Sequence, residues 1–156
     1  MVSMDLHLMP GHLIRRLNQI SVALFLDRME RAGIRLTPVQ FSALTVIRTH
    51  PGIDQASVAG LIGYDRATLG KVVDRLETRG LVTRTVSEND RRARSLRLSP
   101  QGEALLDQAT PHVEAVQPDM LIGLDQAEQE QFLALLNKII MAGNDLSRAP
   151  LTPNRN

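Results

Sequence analysis

The stretch DRATLGKVVDRLETRGLVTRTVSENDRRARSLR, residues 65–97, decides the fold. Its first half places apolar and basic residues at helical spacing, which predicts an amphipathic helix that ends at Gly80. The apolar side of this helix consists of Leu69, Val72, Val73 and Leu76. The second half predicts two short strands, Leu81–Val86 and Ser95–Leu98, on either side of a polar loop. A helix followed by such a hairpin is typical of a winged helix.

Positive charge is concentrated in this stretch. It holds nine Lys/Arg against five Asp/Glu, a net charge of +4, whereas the rest of the chain holds nine bases against twelve acids, a net charge of −3. A basic patch on a nearly neutral chain indicates a surface that binds a polyanion. Because aromatic residues make up only 3% of the chain, stacking on single-stranded bases is disfavoured, and we expect double-stranded DNA.

The residues before this stretch predict the remainder of a helix-turn-helix. Thr37 is a suitable N-cap for a helix that ends near residue 50, and Asp54 is a suitable cap for a shorter helix that ends near residue 62. Gly63 then turns the chain into the basic helix, which Asp65 can cap. Two short helices joined by a glycine-containing turn are typical of a helix-turn-helix, whose second helix enters the major groove.

Long apolar helices are predicted on both sides of this unit, over residues 10–33 and 100–145. Their apolar faces exceed what a small winged helix over residues 37–98 can cover, so we expect them to form a homodimer. Two recognition helices about 34 Å apart would read a pseudo-palindromic operator. We therefore expect one mainly α domain with a β-hairpin wing over residues 1–146, followed by a disordered tail over residues 147–156.

Three segments, LTPVQFSAL, ATLGKVVDRLETRGLVTR and DRRARSLRLSPQG, occur in an order and at distances that resemble the MarR family of bacterial regulators. The resemblance covers residues 10–145. It implies a winged-helix homodimer that regulates transcription, usually as a repressor that is released by a small aromatic or anionic ligand.

The resemblance also implies roles for individual residues. Thr68, Gly70 and Lys71 match the major-groove face of the recognition helix. Arg92, in the Asp-x-Arg motif of the wing, matches the arginine that enters the minor groove. Arg75 matches a helix arginine that supports a phosphate contact or the wing.

The chemistry of the side chains favours the same surface. Lysine and arginine reach guanine edges and phosphates, threonine contacts a base methyl, and glycine lets the helix approach DNA closely. An arginine at a hairpin tip suits a narrow minor groove rich in A·T pairs. Arg66, Arg91 and Arg94 complete the predicted DNA-binding set, the last two as phosphate contacts.

Two interpretations stay open for Arg75, Arg79 and Arg84. They contact DNA, or they are solvated or paired with nearby carboxylates such as those of Asp74 and Glu77.

The start of the chain carries five polar residues that we call the first-helix group: His7, His12, Arg15, Arg16 and Gln19. Those at helical spacing share a side beside the apolar stripe, where donors suit an aromatic carboxylate or a CoA thioester. The segments PGHLIRRLNQ, GIDQ and GYDR look like the branch of the MarR family that senses aromatic acids, hydroxycinnamoyl-CoA-type thioesters or nicotinate relatives. The alternative is that the two arginines are solvated or pair with acids of a partner subunit.

Other functional classes are disfavoured. The chain has no cysteine, and His50 and His112 have no neighbours of their kind, so no metal site or cofactor is expected. No nucleophile with a base can be assembled, which argues against a small enzyme. No apolar run approaches about 20 residues, so we expect a cytoplasmic protein without a membrane partner. The remaining alternative is a winged-helix adaptor that binds proteins without specific DNA readout.

Overall fold

A computed structural model describes residues 4–86 and 94–152. In this part of the chain a short 3-10 helix, Leu6–Leu8, precedes the main elements. The helices are α1 (Pro10–Arg31), α2 (Pro38–Thr49), α3 (Gln55–Ile62), α4 (Arg66–Thr78), α5 (Pro100–Val116) and α6 (Gln126–Gly143). The strands are β1 (Ile53–Asp54), β2 (Val82–Val86) and β3 (Arg94–Leu98). The predicted class, mainly α with a small β wing between long flanking helices, is confirmed.

Side-chain caps fix where the helices of the helix-turn-helix begin. Thr37 and Gln40 form a reciprocal capping box at the start of α2, with bonds of 3.2 and 3.1 Å. The carboxylates of Asp54 and Asp65 accept backbone N–H groups three residues further on, at 2.8 and 3.0 Å. Gly63 ends α3 with φ of 65°, a left-handed conformation that favours glycine. The four helix boundaries predicted at Thr37, Asp54, Gly63 and Asp65 are confirmed. They could be predicted because each capping residue acts only on its near neighbours in the chain.

The sheet has three antiparallel strands in the order β1-β3-β2. Val82 of β2 pairs with Leu98 of β3, and Ile53 of β1 pairs with Leu96 on the other side of β3. The sequence predicts only the hairpin of β2 and β3. It does not reveal strand β1, because Asp54 has the pattern of a helix cap, whereas in the structure it both ends the strand and caps α3.

The hydrophobic core lies between α2, α3, α4 and the sheet, and parts of α1 and α5 close it. The apolar side of α4 is buried as predicted. Helix α1 contributes Phe25 and Met29, and α5 contributes Leu106 and Ala109. The largest fully buried side chains are Met29, Leu44, Ile47, Leu69, Leu76, Leu96 and Leu106.

The start of α5 is held against the beginning of β2. Ser99 is buried, its N–H donates to the Leu81 carbonyl at 3.0 Å, and its hydroxyl donates to the Gly80 carbonyl. The same hydroxyl accepts the N–H of Gly102 at 3.0 Å. A Cβ on Gly102 would overlap the Leu81 carbonyl, so α5 reaches this position only because residue 102 is glycine.

Two long helices leave apolar side chains on the surface of the protomer. No residue of α6 is buried, and Ile139 and Ile140 are 65% and 51% exposed. On α1, Leu13 and Ile14 are 50% and 59% exposed. The assignment of residues 10–33 and 100–145 to dimerisation stays a prediction that these exposed faces make physically reasonable.

The last described residues lie against α3. The N–H of Thr152 donates to the Gly60 carbonyl at 2.8 Å. The side chain of Asn144 bonds to both backbone polar groups of Leu151, at 2.9 and 2.8 Å. The described residues 147–152 thus make specific contacts, and the disorder predicted for residues 147–156 stays a prediction; residues 153–156 lie outside the described residues.

Candidate nucleic-acid interface

Helix α4 presents a polar surface at its N-terminal end, just after the turn that joins it to α3. Arg66, Thr68 and Lys71 are exposed, while the opposite side of the helix is buried in the core. Because the core fixes the rotation of the helix, Thr68 and Lys71, which are three residues apart, share its exposed side, and Arg66 lies at the edge of that side. This is the arrangement that a recognition helix needs, since its N-terminal residues contact base edges.

Asp65 and Thr68 are bonded to each other at the start of this surface. The Asp65 carboxylate accepts both the backbone N–H and the hydroxyl of Thr68, at 3.0 and 2.9 Å. These two hydrogen bonds, and more weakly the positive charge of Arg148, hold the pKa of Asp65 below its ordinary value. Since its hydroxyl is engaged in the cap, Thr68 has its methyl group available for an apolar contact with a thymine methyl.

Gly70 has a packing role that the sequence does not indicate. A Cβ at this position would lie 3.0 Å from Nε2 of Gln55, at the first turn of α3. The missing side chain therefore lets the Gln55 amide approach α4. The expected close approach to DNA stays a prediction.

Arg84 is engaged within the protein. Its guanidinium lies 2.7 Å from the Asp74 carboxylate and 3.7 Å from that of Glu77, and its side chain is only 10% exposed. Of the two open interpretations, pairing is the one that the structure supports for this arginine. The ion pair joins β2 to α4 and so ties the wing to the helix.

Arg75 and Arg79 lie towards the C-terminal end of α4, away from Asp65. Both line a cleft between α4, the end of α1 and the α1–α2 loop, together with Arg35. Burial lowers the pKa of the Arg79 guanidinium, and the positive charge of Arg35 lowers it further.

The wing is described only in part. Arg94 is exposed and begins β3, where it pairs with Val86 of β2 at the outer end of the hairpin. Arg91 and Arg92 lie outside the described residues, and their predicted contacts with phosphate and the minor groove stay predictions.

The first-helix group divides into two parts. The rings of His7 and His12 contact edge to face with centroids 5.6 Å apart, and Arg15 lies 3.4 Å from Nδ1 of His12. A groove of about 400 Å³ includes His12 and Arg15 beside apolar residues. Arg16 instead donates to the Gln19 side chain at 2.8 Å and lies outside this groove.

Residues 4–86 and 94–152 contain no group of three His, Asp or Glu side chains that could hold a metal ion. No helix in those same ranges is long and apolar enough to cross a membrane.

Comparison with known proteins identifies the family. The model of the MarR family matches residues 36–93. The HTH-type transcriptional repressor NicR of Pseudomonas putida is 32% identical over 130 residues, which cover 83% of this chain and 81% of NicR. The chain belongs to the MarR family.

Solved structures of other MarR-type regulators have the same fold. The PcaV regulator of Streptomyces coelicolor, in complex with its natural ligand, has a TM-score of 0.81 at 30% identity. The match covers 92% of this chain and 99% of the PcaV chain. BpsR of Bordetella bronchiseptica, whose DNA binding is regulated by 6-hydroxynicotinic acid, has a TM-score of 0.80 at 30% identity. The match covers 87% of this chain and 96% of the BpsR chain.

Two features of this MarR-family chain could not be found from its sequence. Arg35 meets Arg79 only after α1 and α4 have packed, and residues 35 and 79 are too far apart for any local pattern. Gln55 meets Gly70 for the same reason. The alternation of residues along β2 gives a weak signal for Arg84, which faces α4 rather than solvent.

Proposed function

We propose that this MarR-family protein is a homodimeric transcriptional regulator that binds a pseudo-palindromic duplex operator through α4 and the wing, and acts as a repressor that a small anionic ligand releases. The observation that carries the DNA-binding role is the exposed set Arg66, Thr68 and Lys71 on a helix whose other side is buried. The same set argues against a protein-binding adaptor without DNA readout, and the relatives named above are regulators rather than enzymes.

The operator sequence can be found by selection from a random duplex library, followed by binding measurements over a salt series. Lys71→Gln should weaken binding and reduce the slope of log K against log salt by about 0.9 for each phosphate contact that is lost. Lys138→Gln removes the same charge from α6 and serves as the matched control. Equal slopes for both variants and the parent protein would refute the role of Lys71.

The wing is tested separately. Arg92→Ala should weaken binding to the selected operator while dimerisation is retained, because an arginine in a narrow minor groove contributes both charge and shape recognition. Arg91→Ala and Arg94→Ala should weaken binding to all duplexes similarly, as phosphate contacts do. Unchanged operator affinity in Arg92→Ala would refute the minor-groove assignment.

A homodimer is supported by the exposed apolar faces of α1 and α6. A groove of about 470 Å³ between α1, α5 and α6 continues these faces and includes Leu17, Phe132 and Leu136. Sedimentation should give a dimer, and Ile139→Glu should dissociate it because a charge would be buried at the interface. A monomeric parent protein would refute this proposal, which is also the basis for expecting two recognition helices on one operator.

The first-helix group is the site that the sequence predicts for binding of the effector. His7, His12 and Arg15 lie close together beside one groove, which supports binding of an aromatic acid or its CoA thioester there, whereas Arg16 and Gln19 are placed apart. Calorimetric titration with both compound classes, with and without operator, tests the proposal. If the effector releases the repressor from DNA, DNA must in turn weaken binding of the effector, since the coupling between the two ligands is reciprocal. Equal affinities would refute it.

A regulator of this kind acts on the chromosome, so we keep the expectation of a cytoplasmic protein.

A further inference from the structure

The described part of the tail, residues 147–152, runs from the end of α6 to the helix-turn-helix. Just after α6, the side chain of Asn144 bonds to both backbone polar groups of Leu151. The N–H of Thr152 then donates to the Gly60 carbonyl, which belongs to the last turn of α3. The last carbonyls of a helix lack partners within it, so the tail supplies a hydrogen bond that α3 can accept. The tail is therefore held at two points, one on each side of Leu151.

Two glycines of the helix-turn-helix make room for the tail. A Cβ on Gly60 would overlap the Thr152 hydroxyl, and a Cβ on Gly63 would lie 3.6 Å from Cδ1 of Leu151. Leu151 is 37% exposed, whereas Leu146, which comes just before the tail, is 90% exposed. The small residues of α3 and of the turn after it thus form a surface on which the tail packs.

This packing places Arg148 beside the start of the recognition helix. A groove of about 300 Å³ lies between the tail, α3 and the beginning of α4, and Arg66 and Arg148 line it together with Asp65. The positive charge of Arg148 contributes to the low pKa of Asp65, as expected for a guanidinium near that carboxylate. Both arginines are exposed, and within residues 4–86 and 94–152 neither forms an ion pair.

The charge of this region fits a polyanion. Two arginines and one aspartate line the groove, and residues 147–152 contain one arginine and no carboxylate. A segment that inhibits by taking the place of DNA would be expected to be acidic, and this one is basic. The groove also adjoins the end of α4 that enters the major groove, where the DNA backbone passes close to the protein.

We propose that the tail is an additional DNA-binding element, in which Arg148, together with Arg66, holds a phosphate of the operator backbone beside the N-terminal end of α4. This inference rests on the proposed function and adds a segment outside the winged helix to the interface. Guanidinium groups bind phosphates through paired hydrogen bonds, which carry affinity without reading sequence. Because the tail is already docked on α3, little further ordering is needed when DNA binds, and the contact retains more of its free energy.

A charge variant tests the phosphate contact. In binding measurements on the selected operator over a salt series, Arg148→Gln should reduce the slope of log K against log salt by about 0.9 per protomer. At low salt it should weaken binding about fivefold for each tail that is engaged. Arg148→Lys should retain most of the slope, because it retains the charge. Arg31→Gln is the matched control, since it removes the same charge from a side chain that is 78% exposed and pairs with Asp27.

Release of the tail tests the placement of Arg148. Gly60→Ala removes the room for Thr152, and Asn144→Ala removes both hydrogen bonds to Leu151 from the other side. Each should weaken operator binding nearly as much as Arg148→Gln, although every cation is still present. Combining either with Arg148→Gln should weaken binding little further, because both changes remove the same contact.

Several outcomes would overturn the proposal. An unchanged salt slope in Arg148→Gln would show that Arg148 does not contact phosphate. Stronger operator binding in Gly60→Ala and Asn144→Ala would show that the tail obstructs DNA. Unchanged binding in both release variants, with weaker binding in Arg148→Gln, would show that the docked position of the tail is irrelevant. These results leave the proposed function intact, whereas failure of the parent protein to bind any duplex would refute the proposed function and the role of the tail together.

Discussion

Substitution of Gly102 by alanine tests how the wing is joined to α5. A Cβ at this position would overlap the Leu81 carbonyl oxygen and lie 3.0 Å from its carbonyl carbon. Both obstacles are backbone atoms, so a change of side-chain rotamer cannot relieve them. The start of α5 must move away from β2, or the helix must distort.

The free-energy cost of the substitution follows from the contacts around Gly102. Inserting a methyl group into a filled site costs about 1 to 3 kcal/mol. Moving α5 also weakens the hydrogen bonds from Ser99 to Leu81 and Gly80, each contributing about 1 kcal/mol. Alanine recovers about 0.5 to 1 kcal/mol in a helix. We expect a net loss of about 2 to 4 kcal/mol in the free energy of unfolding.

Urea and thermal unfolding at fixed protein concentration measure this loss. For a chain of this size the melting temperature should fall by roughly 4 to 16 °C. The matched control is Gly11→Ala in α1, where a Cβ meets nothing within 4 Å. It should leave stability unchanged or raise it by up to about 1 kcal/mol. If Gly102→Ala is as stable as Gly11→Ala, α5 does not pack against Leu81 in the folded protein, and the reasoning is refuted.

Three other predictions concern the ion pair, the helix cap and the tail. Arg84→Met should destabilise the fold by about 1 to 2 kcal/mol in urea unfolding, because it removes a charge-assisted bond to Asp74 from a side chain that is only 10% exposed. The Asp65 carboxylate should titrate below the ordinary range in an NMR pH series, because protonation breaks its bonds to Thr68. The stabilising effect of this cap is therefore complete above the unfolded-state pKa of about 4 and is lost as pH falls through the lower folded-state pKa. Gly60→Ala should release the tail, since its Cβ would overlap the Thr152 hydroxyl, and hydrogen exchange of residues 147–152 should accelerate without loss of global stability.

Each of these predictions has an outcome that contradicts it. Arg48→Met removes an equally short ion pair, at 2.7 Å, whose arginine is 35% exposed, so a larger effect there than in Arg84→Met would show that burial does not matter. An Asp65 pKa at or above the ordinary value would contradict the cap. Exchange in the tail that is already fast in the parent protein would contradict its packing on α3.

The helices of the helix-turn-helix could be predicted almost residue by residue. Thr37, Asp54 and Asp65 are capping residues that act within three residues of themselves, and Gly63 needs only its own backbone conformation. Such signals are complete within a short stretch of sequence. The buried side of α4 was predictable for the same reason, because helical periodicity depends on spacing alone.

Features that join distant segments could not be predicted. Strand β1 has two residues, too few for a periodic pattern, and exists because Leu96 of β3 lies beside it. The glycine at 102 is needed because of a carbonyl group 21 positions earlier in the chain. In each case the cause lies in tertiary packing, which overrides local preference.

The positive charge of residues 65–97 is divided among several roles in the structure. Of the nine Lys/Arg in this stretch, Arg84 is paired, Arg75 and Arg79 border the cleft, and Arg97 lies beside Gly52. The cations predicted to contact DNA are Arg66, Lys71, Arg75, Arg91, Arg92 and Arg94. At about 0.9 per phosphate, these contacts predict a salt slope of about 5 per protomer and about twice that for a dimer, rather than about 8 per protomer. A slope near 8 per protomer would require all nine basic residues to contact phosphate, including Arg84, which is paired with Asp74, and would refute this division of roles.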